Sequence, residues 1–595
     1  MKRYMPQAVF GLALIGLFAA VAAAQEAASG AEARFQRAFF LQTHDHDLAA
    51  AADEYEAVAA DEQAEEALRK EARARLAAIR EDLASTELAR LMPPEVIAYA
   101  HLSEPGAHVE RLLEMMGLTG PVDPEAAGVK PLELDEGLVL PADFTISPAL
   151  VEELKKIRGA AVGMTGIDRQ GMPSGLVVVH PGDCNLLRGV IETLVQMLEP
   201  GEPIEGFKTY RVPDMGWVML SARLVLAADS REELAAAVER MRDPEAESLA
   251  TQENYQRVAA GSAESLLFAY VDGPRAVERF GSQLQGRDMA MVRALLDLEH
   301  FESLVVKLTT TEQGISLTAQ MNLMPGHKNM IYALIRTAPM TKRSLDRVPG
   351  GAAAVLTVGL NPPGPAAPTV TNSDGTPSIS LMDVGREIFG NIDELSVFAM
   401  APEGEGRQPF PEVGAVIAVK DPEKSEALWN QILSLAMLFG ARHAQEPAEV
   451  DVEGTPGKTY HLDGMPPIVV VRTGKELVLG TPTAVAAAVR TGSEGKSIAD
   501  DPAFAPLLSK LTPDSSKALL VDVGRAVPVV AALSGDSDDE DMRMIAALLA
   551  DMKVSVVTDE APNCLTIRAE LTGLPKFRDV VQMLNGGGPR RTVAR

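Results

Sequence analysis

The chain has 595 residues, and its 55 Lys and Arg stand against 83 Asp and Glu, so the net charge is −28. Such an acidic surface repels phosphate backbones, and aromatic residues at 4% leave few stacking platforms, which argues against nucleic-acid binding. Hydrophobic residues at 46% and charged residues at 23% are typical of globular domains rather than of disordered chains.

Residues 1–24 have the pattern of a secretory signal peptide. Lys2 and Arg3 precede an apolar run over 8–21, and an Ala-x-Ala cleavage site follows at 22–24. The run is shorter than the roughly 20 residues of a spanning helix, which favours cleavage over retention as an anchor. Removing Lys2 and Arg3 leaves 53 basic against 83 acidic residues, a mature net charge of −30. We expect an exported protein, periplasmic or extracellular, with no stable membrane span after cleavage.

Residues 25–90 are predicted to be helical. Leu48, Ala51, Tyr55 and Val58 recur at helical spacing. This pattern resembles the second helix of a tetratricopeptide repeat, in which a small residue and an aromatic residue four positions later pack between helices. Arrays of such repeats need about three units to bury their apolar faces. The resemblance therefore implies that this hairpin docks on the body of the protein or on an unknown protein partner.

The rest of the chain repeats itself. The pair Thr209-Tyr210 recurs as Thr459-Tyr460, and Leu-Val-Leu at 224–226 recurs at 477–479. We expect a first repeat unit over 91–324, a connector over 325–348, a second repeat unit over 349–584 and a disordered tail over 585–595.

Short apolar strands and helices follow one another in the same predicted order in both repeats. The predictions include a strand over 159–167, a connector helix over 329–337 and helices over 380–389 and 425–439. Strands joined by short turns favour antiparallel pairing, and the intervening helices cover the sheet. The predicted fold class is therefore α+β, with two tandem duplicated units of largely antiparallel sheet behind a short all-helical hairpin segment. In organisation this body resembles bacterial exported proteins of unassigned function with duplicated strand-helix units, a resemblance that implies no chemistry.

The densest group of metal-ligand residue types is His44, Asp45, His46 and Asp47. Two imidazoles with carboxylates between them suit a divalent transition metal if the chain is extended there. The alternative is a polar turn in which Asp47 caps the following helix. The alternative is favoured, so these four residues are weak candidates and no metal or other cofactor is expected.

Other motif-like strings lack the residues that their chemistry requires. Gly457-Lys458-Thr459 has Val452 where a phosphate-binding loop needs glycine, and the acidic run over 536–541 lacks the Gly and Glu of an EF-type calcium loop. We found no nucleophile elbow or zinc-protease helix. No catalytic or cofactor-binding residue is predicted, and the chain is expected not to be an enzyme.

Two cysteines are present, Cys184 and Cys564, at positions that the repeat does not relate. In an exported protein they would be able to form a disulfide, and the alternative is two solitary buried thiols.

Three functions stay open from the sequence. The first is scaffolding or protein–protein interaction in the cell envelope, with the N-terminal hairpin as the docking element. The second is a carrier of an apolar ligand or lipid, since an aliphatic sheet face covered by helices can hold one. The third is a hydrolase with an unrecognised site.

Overall fold

The computed structural model divides into two compact units. Unit 1 comprises 1–101 and 156–260, and unit 2 comprises 102–155 and 261–595. The division follows contacts in space, whereas the predicted domain boundaries follow the sequence repeat and stay predictions. The structure describes residues 30–42, 48–62, 64–118, 132–133, 139–140, 148–167, 173–213, 216–243, 245–280, 293, 295–360, 390–402, 411–423, 447–461, 466–493, 495–534 and 540–584.

Three helices open the described chain, and strands and helices then alternate. The helices are α1 Ala31–Phe40, α2 Leu48–Ala60, α3 Glu66–Thr86, α4 Pro105–Met115, α5 Pro148–Lys155, α6 Asn185–Val195, α7 Arg231–Arg242, α8 Glu253–Ala259, α9 Gly273–Phe280, α10 Met330–Ile335, α11 Pro482–Thr491, α12 Ala505–Leu508, α13 Val523–Ser534, α14 Glu540–Leu548 and α15 Phe577–Leu584. The strands are β1 Ala98–Ser103, β2 Leu132–Glu133, β3 Val139–Leu140, β4 Gly159–Ile167, β5 Pro173–His180, β6 Glu199–Pro200, β7 Lys208–Val212, β8 Gly216–Leu220, β9 Val225–Ala228, β10 Leu267–Asp272, β11 Phe301–Thr310, β12 Gly314–Leu323, β13 Ala354–Gly359, β14 Ile392–Met400, β15 Glu412–Val419, β16 Ala448–Val452, β17 Thr455–Tyr460, β18 Ile468–Thr473, β19 Glu476–Gly480, β20 Ser515–Asp522, β21 Lys553–Ala561 and β22 Cys564–Thr572.

Helices α1 to α3 pack around their own small core. Tyr55 and Ile79 are fully buried in it, and the Phe35 ring meets Tyr55 edge-on with centroids 5.3 Å apart. The apolar spacing that predicts a helix over these residues thus also supplies the residues that join α2 to its neighbours.

Each unit contains an antiparallel sheet. In unit 1 the order is β4-β5-β9-β8-β7-β6. In unit 2 the order is β10-β11-β12-β22-β21-β20-β13-β14-β15-β19-β18-β17-β16. The strand pairs in these two orders are all antiparallel, and the fold class is α+β, as predicted.

Strands β12 and β22 form a seam whose register is symmetric. Gly314 lies opposite Thr572, Asn322 lies opposite Cys564, and Thr318 faces Arg568 at the centre. The first residue of β12 therefore pairs with the last residue of β22, and the first residue of β22 pairs with the second-last residue of β12.

Predicted and observed elements agree best where the apolar pattern is short and regular. The predicted strand over 159–167 is β4, and the predicted connector helix over 329–337 is the shorter α10. Helices α9 and α13 were not predicted. Helix α13 contains Gly524 and Pro528, which disfavour a helix by intrinsic propensity. The predicted signal peptide, the helices over 380–389 and 425–439 and the tail over 585–595 lie outside the described residues.

Candidate functional site

A row of aliphatic side chains crosses eleven neighbouring strands of unit 2, from β10 to β18. Each member lies directly opposite the next in the strand register, so all of them project from the same face of the sheet. We call this set the aliphatic row. Its members are, in order, Leu267, Leu308, Leu317, Ala569, Val556, Leu519, Leu356, Val397, Ala415, Leu479 and Val470.

No member of the aliphatic row is fully buried, although Val470 and Leu479 at one end pack against a small buried cluster. Every member is half-buried or exposed, and the exposed fraction reaches 42% at Leu317, 37% at Leu519 and 44% at Leu356. The neighbouring row adds Ile567, which is 40% exposed. A contiguous apolar surface that extends across so many strands is unusual on a globular domain and indicates an interaction site.

The opposite face of the same strands carries the main core of unit 2. Val355, Phe398, Val416 and Leu520 are each almost fully buried there, together with residues of α11. The strands from β20 to β15 therefore carry the main core on one face, whereas the face with the row keeps aliphatic side chains partly exposed and holds only a small buried cluster around Ile417 and Leu477.

The Gly457-Lys458-Thr459 string lies on β17, beside the end of the aliphatic row. Gly457 is paired with Val450 on one side and with Val471 on the other, and Lys458 stands opposite Val470. The string is regular strand backbone, which places its peptide groups in the ladder and not around a phosphate.

Unit 1 has exposed apolar surface of its own. Val162 and Val177 face each other across β4 and β5 and are 45% and 41% exposed. Helix α6 carries a stripe of exposed aliphatic residues at helical spacing, with Leu186 and Val190 each at 55%. Val195 at the end of α6 is buried, so only a small part of the apolar surface of this helix is used in packing.

A buried carboxylate with an arginine three residues later occurs in both halves of the chain. Asp272 ends β10 and accepts the Arg275 N–H at 3.0 Å, and Asp522 ends β20 and accepts the Arg525 N–H at 3.2 Å. The arginine side chains also face these carboxylates, at 3.7 and 3.3 Å. Sequence analysis missed this feature, although the shared string Val-Asp-x-x-Arg at 271–275 and 521–525 was available to find it.

Arg525 is the centre of a larger cluster. Its Nη1 lies 2.5 Å from Asp501 Oδ2 and 2.8 Å from the Gly350 carbonyl, and Lys553 Nζ lies 3.1 Å from Asp522 Oδ2. Burial opposes ionisation of Asp501, but the Arg525 guanidinium and the Ala503 N–H outweigh it and lower the pKa of that carboxyl. The charges are paired internally, so this cluster stabilises the start of α13.

A cleft of about 810 Å³ adjoins this cluster between α13 and α14. Arg525 and Lys553 lie at its charged end, and its walls are small apolar residues such as Pro528, Ala531 and Ala547. The cleft has the character of a surface that accepts an apolar group.

The weak metal candidates and most of the acidic run lie outside the described residues. These residues are His44, Asp45, His46 and Asp47, together with 536–539 of the acidic run. Within the described ranges, no three His, Cys, Asp or Glu side chains are placed to hold a metal ion. Cys184 is a buried free thiol, and Cys564 is a half-buried free thiol at the start of β22.

A histidine–carboxylate pair lies at the base of the connector. His300 Nδ1 is 3.0 Å from Asp297 Oδ1, and the second carboxylate oxygen accepts the Lys328 N–H. These bonds lower the pKa of Asp297, the backbone N–H of Lys328 contributing most. Because Asp297 is engaged with the connector backbone, we interpret the pair as a structural anchor.

The similarities of the chain to known proteins are distant. No protein family and no curated protein matches the chain. Similar solved structures are crystal forms III and I of TP0453, at 9% and 10% identity and a TM-score of 0.24 each. They cover 42% of this chain and 88% and 82% of their own chains. A similarity this distant supports no functional argument. Among the described helices, none has both the length and the hydropathy that crossing a membrane requires.

Proposed function

We propose that the protein is an exported, non-enzymatic carrier that holds aliphatic ligands, such as lipid acyl chains, against the aliphatic row. The observation that carries this proposal is the row itself: eleven directly opposed aliphatic residues, none of them buried. It develops the second of the three functions that the sequence leaves open.

The chemistry of the row favours acyl chains over polar ligands. Its members offer no hydrogen-bonding groups, so a ligand with unsatisfied polar atoms would lose its bonds to water without replacement. Eleven strands spaced about 4.8 Å apart span about 48 Å, whereas one leaflet of bilayer hydrocarbon is about 15 Å thick. The face is therefore long enough for more than one acyl chain.

Export and duplication complete the proposal. The positive start, apolar run and Ala-x-Ala site over 1–24 support a signal peptide. The symmetric register of β12 and β22 supports a duplication, because Leu317 and Ile567 then occupy equivalent places on either side of the seam. A carrier built from two such halves presents one continuous apolar face.

Native mass spectrometry of gently purified protein, followed by titration with a fluorescent fatty acid, tests the proposal. We expect a bound lipid-sized mass and saturable binding. Leu317→Gln should weaken binding about tenfold, equivalent to roughly 1.4 kcal/mol, since it removes apolar contact at one of the most exposed members of the row. Ser316→Gln, next to it on the other face of β12, is the matched control and should bind as the wild type does. Absence of both a lipid mass and probe binding would refute the carrier.

A second candidate is scaffolding through the N-terminal helices. Phe39 and Phe40 on α1 are 39% and 52% exposed, which is unusual for adjacent aromatic residues and fits a docking surface. Crosslinking mass spectrometry on intact cells should then find a protein neighbour at α1 that Phe40→Ser reduces. Unchanged crosslinks in that variant would count against scaffolding and leave the carrier proposal as it stands.

A further inference from the structure

A polar cleft of about 300 Å³ lies within unit 1, away from any residue used above. It is formed by the single turn 88–90, the end of α7 and the turn and helix over 249–259. The polar groups that line it include Glu87, Arg90, Arg240, Asp243, Ser248 and Tyr255.

Two arginines present unused N–H groups to this cleft. The side chain of Arg240 is only 8% exposed; its Nε donates to the Leu91 carbonyl at 2.8 Å and its Nη2 pairs with Glu233. Arg90 pairs with Glu87 through Nε at 3.1 Å. Within the described part of the chain, Nη1 of Arg240 and both Nη groups of Arg90 have no further bond.

An acceptor faces the same space. Asp243 uses Oδ1 to accept the Glu245 N–H at 2.9 Å, and its other oxygen has no bond to a described residue. The hydroxyl of Tyr255 adds a neutral group, because burial raises the pKa of this phenol and keeps it protonated. The cleft thus holds cationic donors, on Arg90 and Arg240, and an anionic acceptor, on Asp243, within one small volume.

The polar lining is not needed to build this turn. Ser248 and Ser497 each begin a single helical turn with a capping box. Seven residues after Ser497 the chain has Phe504, whereas seven residues after Ser248 it has Tyr255. The same local fold therefore forms with an apolar ring in place of the phenol.

We infer that this cleft binds a small zwitterion of the α-amino acid class, its carboxylate on Arg90 and Arg240 and its ammonium group on Asp243. A simple anion fits less well, because the carboxylates of Glu87, Glu233 and Asp243 outnumber the two arginines. The net charge of the whole chain, −28, also repels anions. A simple cation fits less well because the unused groups of both arginines repel it.

Isothermal titration calorimetry on the full mature chain tests the inference, with glycine and L-serine as probes and acetate and methylammonium as comparisons. We expect saturable binding of at least one amino acid and much weaker binding of acetate and methylammonium. Equal binding of acetate or of methylammonium, or no binding of either amino acid, would overturn the inference.

Variants identify the groups involved. Arg90→Gln and Asp243→Asn change residues at the edge of the cleft, and each should weaken amino acid binding about tenfold by removing one charge-assisted contact. Arg242→Gln is the matched control. Arg242 lies on α7, as Arg240 does, and pairs with Glu205 outside the cleft. This variant should bind the amino acid within about twofold of wild type. Equal loss in Arg242→Gln would reject the assigned contacts.

Discussion

Phe398 covers Gly414 across the β14–β15 pair. The two residues lie directly opposite each other, and a Cβ added at Gly414 would overlap the Phe398 ring. Phe398 is almost fully buried in the main core of unit 2, so the ring has little space into which it can move. The glycine is therefore required by packing rather than by backbone conformation.

Gly414→Ala should consequently lower the free energy of unfolding by about 2 kcal/mol, the usual cost of overpacking a dense core. Chemical denaturation followed by circular dichroism measures the change. Gly351→Ala is the matched control, because a Cβ there meets no atom within 4 Å. Equal stability of the two variants would contradict the packing argument.

Removing the guanidinium of Arg525 should destabilise unit 2. Arg525→Met removes the guanidinium that pairs with Asp501 and leaves Lys553 as the remaining partner of Asp522, and both carboxylates are largely buried. We expect a loss of about 2 kcal/mol, below the value for a fully buried pair because Arg525 is 38% exposed. Arg490→Met, which breaks the exposed pair with Glu453, should cost less than about 0.5 kcal/mol. Thermal unfolding of both variants makes the comparison, and similar shifts would argue against a supporting role for Arg525.

His180 should make stability depend on pH. Burial, assisted by Arg158, lowers the pKa of His180 to about 4, and the ring accepts the Gly182 N–H through Nδ1 at 3.1 Å. An unfolded histidine titrates near pH 6.5. The contribution of His180 is therefore complete above pH 6.5 and is lost as the pH falls towards 4, by about 2 kcal/mol after allowance for solvent.

The measurement for His180 is a difference between two pH profiles of unfolding free energy. His180→Asn should lose the extra slope between pH 6.5 and 4 that the wild type shows. His461→Asn replaces an exposed histidine and should leave that slope unchanged. Parallel profiles for wild type and His180→Asn would exclude this origin of the pH dependence.

Both cysteines should react as free thiols. Cys184 is buried, and Cys564 Sγ is half-buried at 3.6 Å from Thr566 Oγ1. Alkylation without reductant, read by mass spectrometry, should modify both residues in denaturant and Cys564 first in the native protein. A reductant-dependent gain of two modifiable thiols would instead indicate a disulfide.

The short apolar strands can be predicted from the sequence, but the face that they build together cannot. Alternation along β12 and β13 indicates that Leu317 and Leu356 project from one side of their own strands. Nothing in the pattern says that β22, β21 and β20 lie between those strands, since that order depends on pairings between distant segments. The continuous row is therefore a property of topology.

The missed carboxylates have a different explanation. Asp272 and Asp522 end apolar strands and stand directly before α9 and α13. Because these helices were not predicted, a capping role for the two carboxylates was not predicted either. Comparing the two halves for shared charged residues, and not only for shared motifs of known enzymes, would have identified them.

The seam between β12 and β22 also sets a delay in biosynthesis. Gly314 is made about 250 residues before its partner Thr572, which at about 5–20 residues per second corresponds to roughly 12–50 s. During that interval the edge of β12 that later pairs with β22 is open, and Leu317 projects from one face of the same strand. An open edge beside an exposed apolar side chain promotes aggregation of nascent chains. The polar side chains on the other face of β12, Ser316, Thr318 and Gln320, limit that exposure to one side of the strand.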